Sequence, residues 1–222
     1  MEISISGVNK SYGKKTVLKD LNLTASSGEC VGIIGRNGTG KSTMLSTLAG
    51  VIRPDSGTFI IDGKNAFTDE DIRHNEVAYV PQGTPLIEEL SALDNLKMWY
   101  EEDALKKSLK DGFLNLLGIN DFLDVSVNKM SGGMKKRLSI GCAINNNPSI
   151  LLLDEPTAAL DIICREAVYE YFKAFREKGG ILIIATHVIH EISKCTKTYI
   201  LKDGSLESYT FNDDVSDLLN KI

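Results

Sequence analysis

The sequence predicts an α/β fold built on a mostly parallel sheet, with an antiparallel β region at the N-terminus and a helical insertion. Two continuous apolar runs, Ile150–Leu153 and Ile181–Ala185, are typical of central parallel strands that are buried on both faces. Residues 162–178 between them form a predicted crossover helix. The segment from Ser91 to Asn147 shows helical spacing without a good strand, which predicts the insertion.

The N-terminal part of the chain alternates strand, glycine turn and helix. Its predicted strands are Glu2–Val8, Val17–Thr24, Cys30–Ile34, Thr58–Ile61 and Val77–Val80, and its predicted helix is Lys41–Ala49. We expect a single domain over residues 1–222, with a core at about 1–82 and 148–210 and a helical subdomain at about 83–147. The tail after Leu206 is polar, and the sequence predicts little structure there.

Composition excludes several classes of protein. The 222 residues suffice for one sizeable core, and the net charge of −5 argues against nucleic acid as a partner, because its binders present basic faces. The four cysteines form no CxxC pair and are expected to be reduced and mostly buried. We expect no signal peptide, and no apolar run approaches the roughly 20 residues that span a bilayer.

Residues Gly35–Ser42 match the phosphate-binding pattern G-x-x-x-x-G-K-[ST], which predicts a P-loop NTPase core. Its glycines let backbone N–H groups surround phosphate oxygens, Lys41 reaches the β- and γ-phosphates, and Ser42 places its hydroxyl on Mg²⁺. The alternative is a glycine turn that only joins a strand to a helix. The predicted ATP-binding residues here are Gly35, Arg36, Asn37, Gly38, Thr39, Gly40, Lys41, Ser42 and Thr43.

A second acidic site follows the apolar strand at Ile150–Leu153. Asp154 is predicted to hold Mg²⁺, directly or through water, and Glu155 to act as the general base that activates the attacking water. The ligand crevice of a parallel sheet lies at the carboxyl ends of its strands, where these acids are expected. The alternative is a solvated strand end.

Further motifs give a family resemblance that covers about residues 1 to 210. Met130-Ser131-Gly132-Gly133-Met134, in which Ser131 lies 19 residues before Ile150, resembles the LSGGQ signature of ABC ATPases. Four single residues match other motifs of that family in order: Tyr12 resembles the adenine-stacking A-loop, Gln82 the Q-loop, Asp161 in Ala159-Leu160-Asp161 the D-loop, and His187 the switch histidine.

The resemblance implies a role for each motif. Ser131, Gly132, Gly133 and Met134 would bind the γ-phosphate of an ATP held by a second subunit, since a capped helix N-terminus is an anion site. Gln82 would bind Mg²⁺ and water, and His187 would donate a hydrogen bond to the γ-phosphate. As alternatives, Ser131 could begin an ordinary helix, Tyr12 could pack at a strand end, Gln82 could belong to a turn and His187 could cap a helix.

The resemblance implies ATP and Mg²⁺ as cofactors, and a homodimer, or a heterodimer with a paralogous ATPase, bound to polytopic membrane permease subunits. The chain would then lie in the cytoplasm, on the inner face of the cell membrane. The SGGMKKR form, with Met134 in place of glutamine, resembles ATPases of ABC-2-type exporters and favours export. The alternative function is a soluble ABC ATPase, such as a cluster-assembly subunit.

Overall fold

The computed structural model describes residues 1–158, 160–212 and 214–222. Its strands are β1 (Glu2–Tyr12), β2 (Lys15–Ser26), β3 (Cys30–Ile34), β4 (Ser56–Ile61), β5 (Lys64–Asn65), β6 (Val77–Val80), β7 (Ile150–Asp154), β8 (Ile181–Ala185), β9 (Lys197–Lys202) and β10 (Ser205–Tyr209). Its α-helices are α1 (Lys41–Leu48), α2 (Glu70–Glu76), α3 (Ala92–Lys97), α4 (Glu102–Asp111), α5 (Phe113–Leu116), α6 (Gly132–Ala143), α7 (Ile162–Glu177), α8 (Ile189–Lys194) and α9 (Val215–Lys221).

The central sheet has six strands in the order β10-β9-β3-β8-β7-β6, which are parallel except for the antiparallel β9–β10 pair. The predicted α/β class with a mostly parallel sheet is confirmed. Because β3, β7 and β8 are parallel neighbours, their carboxyl ends meet at one edge of the sheet. The segments after these three strands carry the predicted functional residues.

A four-stranded antiparallel sheet, in the order β2-β1-β4-β5, covers one face of the central sheet. Ile3 and Ile5 of β1 are buried, and they belong to one apolar cluster with Leu45 of α1 and with Ile150 and Ile183 of the central sheet. Alternate residues of β1 point outward, as its alternating sequence predicts. The antiparallel sheet and α1 therefore form one layer against the central sheet.

The opposite face of the central sheet packs against α7 and the helical region. Leu151 and Leu153 of β7 belong to a cluster with Leu96, Leu114 and Leu138 of the insertion. Since alternate residues of β7 enter the two clusters, the strand is buried on both sides, which explains its unbroken apolar run. Helices and turns occupy residues 91–147, together with an isolated bridge between Ser91 and Ser126.

The expectation of little structure after Leu206 was wrong. Strand β10 pairs along its length with β9, and Tyr209 Oη donates to Asp217 of α9 at 3.0 Å. Leu218 of α9 is buried against Ile34 and Ile200. The alternation of polar and apolar residues in this region is weak, because only part of each element faces the core. The same weakness hid α2, β5 and α8 from the sequence pattern.

Candidate active site

The glycine-rich loop at residues 35–40 connects β3 to α1, as predicted. Gly40 has a φ of 108°, and a Cβ atom there would lie 2.8 Å from Val17 Cγ1. A Cβ atom on Gly35 would lie 2.6 Å from the carbonyl oxygen of Leu201. The loop therefore needs glycine at Gly40 for backbone conformation and at both positions for space.

Lys41 begins α1, and its ammonium group is buried against the loop. Nζ donates to the carbonyl oxygens of Gly35 at 2.7 Å and Arg36 at 3.1 Å. Burial lowers the pKa of Lys41, while the negative charges of Glu155 and Asp154 oppose that shift. The site thus places a cation beside the loop that is predicted to bind phosphate.

A cavity of about 390 Å³ brings the phosphate loop and the carboxylate pair together. Nine predicted residues line it: Asn37, Gly38, Gly40, Lys41, Ser42, Thr43, Gln82, Asp154 and Glu155. Lys15 and Val17 of β2 also line it, although the sequence did not single them out. Gly35, Arg36 and Thr39 stabilise the loop itself, where Thr39 Oγ1 donates to the carbonyl oxygen of Arg36 at 3.0 Å.

The two acids occupy the carboxyl end of β7. Asp154 pairs in register with Ala185 of β8 and is buried. The backbone N–H of Glu155 donates to the carbonyl oxygen of Ala185 at 2.9 Å. Glu155 has a φ of 50°, a left-handed conformation that costs a non-glycine residue about 1 kcal/mol. The chain therefore leaves the sheet here in a sharp turn, and both carboxylates reach the cavity.

His187 contacts Glu155 directly. Its Nδ1 lies 2.8 Å from Oε1 and 2.6 Å from Oε2 of that carboxylate. The imidazole is 65% exposed, whereas the Glu155 side chain is 7% exposed. Thr186 anchors the backbone beside His187, because its N–H donates to Ile33 and its Oγ1 accepts from the N–H of Val188. The structure thus pairs two residues that the sequence predicted to be catalytic.

A second contact joins the same two segments, and sequence reasoning missed it. Thr157 Oγ1 donates to Glu191 Oε1 in a short hydrogen bond, and Glu191 is 2% exposed. Burial raises the pKa of Glu191, while its hydrogen bonds with Thr157 and Thr186 oppose the rise. The only sequence signal for Glu191 is its spacing of four residues from His187, which is too common to single it out.

The signature segment forms a capped helix start. Ser131 Oγ accepts a hydrogen bond from the N–H of Met134 at 3.2 Å, so Ser131 is the N-cap of the 12-residue helix α6. A Cβ atom on Gly133 would collide with Cys164 Sγ. Around Gly132, by contrast, no neighbouring atom of the described residues lies within 4 Å of the place where a Cβ would stand. The helix end is exposed at Ser131, and no residue from 131 to 134 is among the described residues that line the cavity.

Asp161 lies beside the signature segment of the same chain. Its Oδ1 accepts from the N–H of Cys164 at 2.9 Å, which makes it the N-cap of α7 and lowers its pKa. Its Oδ2 lies 3.5 Å from the position that a Cβ atom on Gly133 would take. Ala159 of the same motif lies outside the described residues. The predicted D-loop aspartate therefore lies next to the buried signature glycine Gly133.

Tyr12 ends β1, and its side chain is half-exposed. It pairs in register with Lys15, which lines the cavity, although Tyr12 is not among the described residues that do so. Lys10 Nζ lies 5.5 Å from the centre of its ring. Because its partner Lys15 lines the cavity, Tyr12 lies near the mouth of the site. Its predicted role in stacking on adenine stays a prediction.

Lys136 of α6 is a buried residue that the sequence analysis overlooked. Its Nζ donates to the carbonyl oxygen of Pro81 at 2.8 Å and lies 3.4 Å from that of Gln82. Burial lowers the pKa of Lys136 to about 8, against the opposing charges of Asp154, Glu155 and Glu191. Lys136 lies on the buried face of α6, together with Gly133 and Ile140. The helical spacing of these three residues was the sequence signal that could have identified it.

No helix within the described part of the chain has both the length and the apolar character needed to cross a membrane. In the same residues there is no group of three or more His, Cys, Asp and Glu side chains that could hold a metal ion.

The fold and the site together define a P-loop NTPase with a helical insertion and a signature helix. The profile of the family described as "ABC transporter" matches residues 18–158, which is more than half of the chain. The chain therefore belongs to the ABC transporter family, as its ATP-binding cassette, and it is an ATPase that binds ATP.

Named relatives agree with this assignment. The chain is 33% identical over 207 residues to the Nod factor export ATP-binding protein I of Sinorhizobium fredii, covering 91% of this chain and 60% of that protein. It is 33% identical over 190 residues to the lantibiotic transport ATP-binding protein SrtF of Streptococcus pyogenes, covering 86% of this chain and 82% of that protein. The chain thus spans less than two thirds of the Nod factor export protein.

Among solved structures, the chain is similar to the ATP-binding cassette MJ0796, a dimer in a post-hydrolysis state with ADP and Pi. The TM-score is 0.81 at 32% sequence identity, and the match covers 92% of this chain and 96% of that one. This similarity confirms the cassette fold.

Proposed function

We propose that the chain is the ATP-hydrolysing subunit of an ABC exporter, which dimerises around two MgATP and drives a membrane permease. The observation that carries this proposal is the cavity that joins the phosphate loop to the buried pair Asp154 and Glu155. That cavity has a cation for phosphate, hard oxygen ligands and a carboxylate base within one space, which is the set that phosphoryl transfer to water requires.

The residues of the cavity fit Mg²⁺. The hydroxyl of Ser42, the amide oxygen of Gln82 and the carboxylate of Asp154 line the same space, and Mg²⁺ prefers oxygen ligands that it shares with phosphates. When bound, Mg²⁺ would neutralise charge that develops on the transferred phosphate. Lys41 would orient the phosphate chain from the other side of the loop.

Glu155 is proposed to take the proton of the attacking water. Its carboxylate is buried and contacts His187 Nδ1, so the imidazole fixes the direction of the carboxylate. His187 is mostly exposed, and when both of its ring nitrogens carry a proton, Nδ1 donates to Glu155 and Nε2 can donate a hydrogen bond to the γ-phosphate.

The site is proposed to be completed by a second subunit. Ser131 is exposed at the N-terminus of α6, and none of residues 131–134 is a described lining residue of its own chain's cavity. Its hydroxyl accepts from Met134, which leaves the hydroxyl hydrogen free to donate to an anion. A nucleotide between the phosphate loop of one chain and α6 of another would use both surfaces, and the solved cassette MJ0796 is a dimer.

We propose that a helix of the permease binds in a groove between the core and the helical region. This groove, of about 240 Å³, is lined by Tyr79, Pro81 and Leu86 on one side and by Trp99 and Cys142 on the other. Trp99 is 58% exposed and Met98 beside it is 57% exposed, so the rim offers apolar surface to a partner. The groove adjoins Gln82, through which a partner would influence the nucleotide site.

The proposed direction is export, supported by the names of the relatives that serve Nod factor export and lantibiotic transport. The chain would then lie in the cytoplasm, against the membrane, through its permease. No observation on the described residues favours the alternative function, a soluble ABC ATPase.

Co-purification tests the transporter role. The tagged chain, expressed in its own cells and extracted with mild detergent, should retain a polytopic membrane protein, and Trp99→Glu should lose it because a charge enters the groove. Lys106→Glu, an exposed change on α4, is the matched control and should retain the partner. A wild-type chain that retains only soluble partners under these conditions would contradict the transporter role.

A further inference from the structure

Lys136 is a charged residue buried on the signature helix. It is 5% exposed, and lysine is almost never buried to this degree unless it is paired. Burial lowers its pKa to about 8, and the charges of Asp154, Glu155 and Glu191 oppose that shift. Its direct hydrogen-bond partners, however, are backbone carbonyls.

Those carbonyls belong to the loop that follows β6. Nζ lies 2.8 Å from Pro81 O and 3.4 Å from Gln82 O, and Gln82 lines the cavity with Asp154 and Glu155. Lys136 lies less than two helical turns after Ser131, which is the N-cap of the same helix. One side chain therefore joins the exposed helix end to the loop that carries Gln82.

We propose that Lys136 is a positioning residue that holds the Gln82 loop to α6, so that Gln82 keeps its place at the nucleotide cavity. In the proposed dimer, α6 faces the nucleotide of the partner subunit while Gln82 faces the nucleotide of its own chain. Lys136 then transmits the position of one nucleotide site to the other. This inference rests on the proposed function.

The test compares Lys136→Met, Lys136→Gln and Lys135→Met. Methionine keeps the length and removes the donor, and glutamine restores an N–H donor on a shorter stem. Lys135→Met makes the same change one residue away, where Nζ lies 3.6 Å from Glu88 instead. We expect kcat for ATP hydrolysis to fall about tenfold in Lys136→Met with KM within twofold, to recover in part in Lys136→Gln, and to change less than twofold in Lys135→Met.

Fluorescence gives a second readout that does not depend on turnover. Trp99 is the only tryptophan, and it lines the same groove as Pro81. If the loop loses its tie to α6, acrylamide should quench Trp99 more strongly in nucleotide-free Lys136→Met than in the wild type or Lys135→Met. Thermal unfolding of each variant confirms that it is folded. If Lys136→Met does not fold, kcat and Trp99 quenching are compared between Lys136→Gln and Lys135→Gln instead.

Three outcomes would overturn the inference. The first is a folded Lys136→Met whose kcat and Trp99 quenching are unchanged. The second is a loss of kcat in Lys135→Met as large as that in Lys136→Met. The third is a folded Lys136→Gln whose kcat is as low as that of Lys136→Met, which would show that the site needs the charge and not the hydrogen-bond donor. A wild-type chain without ATPase activity would instead contradict the proposed function, and the quenching comparison would still test the contact.

Discussion

Lys41 shows how a single side chain serves the site. Its ammonium group lies against the carbonyl oxygens of its own loop, at 2.7 and 3.1 Å, and near the charges of Asp154 and Glu155. A cation in this position is buried enough to interact strongly with an anion, because the surrounding protein screens charge less than water does.

Lys41→Ala should therefore abolish ATP hydrolysis and weaken ATP binding by roughly 10- to 100-fold, since a hydrogen bond to a charged group contributes about 1.5–3 kcal/mol. Steady-state hydrolysis and equilibrium binding of the purified variant would measure both effects. Lys64→Ala, an exposed lysine of β5, is the control. Near-normal turnover in Lys41→Ala would contradict the phosphate-loop assignment.

Tyr12 tests a weaker interaction. If its half-exposed ring stacks on adenine, Tyr12→Ala should weaken ATP binding by roughly 1 kcal/mol, or about fivefold, while Tyr12→Trp should bind ATP like the wild type. Isothermal titration with ATP and with a triphosphate that lacks a base separates stacking from phosphate binding. An unchanged affinity for ATP in Tyr12→Ala would show that Tyr12 only packs at the end of β1.

At the scale of elements, the sequence predicted what periodicity and motif spacing encode. The buried strands β3, β7 and β8 have unbroken apolar runs, and the phosphate loop and acids follow directly from their ends. Contacts between distant segments were not predictable in this way. The Thr157–Glu191 and Lys136–Pro81 contacts join residues 34 and 55 positions apart, and only the packing of α8 and α6 brings them together.

The start of α6 is an element whose backbone, more than its side chains, is predicted to bind phosphate. Ser131→Arg should abolish hydrolysis, because a large side chain would occupy the exposed helix end. Met134→Gln should change turnover by less than about threefold, since Met134 contributes its N–H to the Ser131 cap and that N–H is unchanged. ATPase assays of the two folded variants would measure both effects. The reverse order of effects would contradict the proposed role of the signature segment.

At the scale of the whole molecule, the cavity holds one half of the proposed site and the Ser131 helix end offers the other half to a different chain. The two halves lie on one subunit but serve different nucleotides, so activity is expected to need a dimer. Asp161 is exposed beside the buried Gly133, on the side of the subunit that would meet the partner. A dimer held by nucleotide should therefore depend on the γ-phosphate, which alone would reach from Lys41 to the opposing α6.

Glu155→Gln separates binding from hydrolysis in that dimer. Glutamine keeps the shape of the carboxylate and loses the base, so hydrolysis should fall by at least the roughly 10²–10⁴-fold that a positioned general base contributes. The unhydrolysed ATP should then hold two chains together, and light scattering should show a dimer with ATP and Mg²⁺ but a monomer with ADP. Adding Ser131→Arg should abolish the dimer while each chain still binds nucleotide, because only the opposing helix end is blocked. A dimer that forms equally with ADP, or that survives Ser131→Arg, would contradict a nucleotide shared between two subunits.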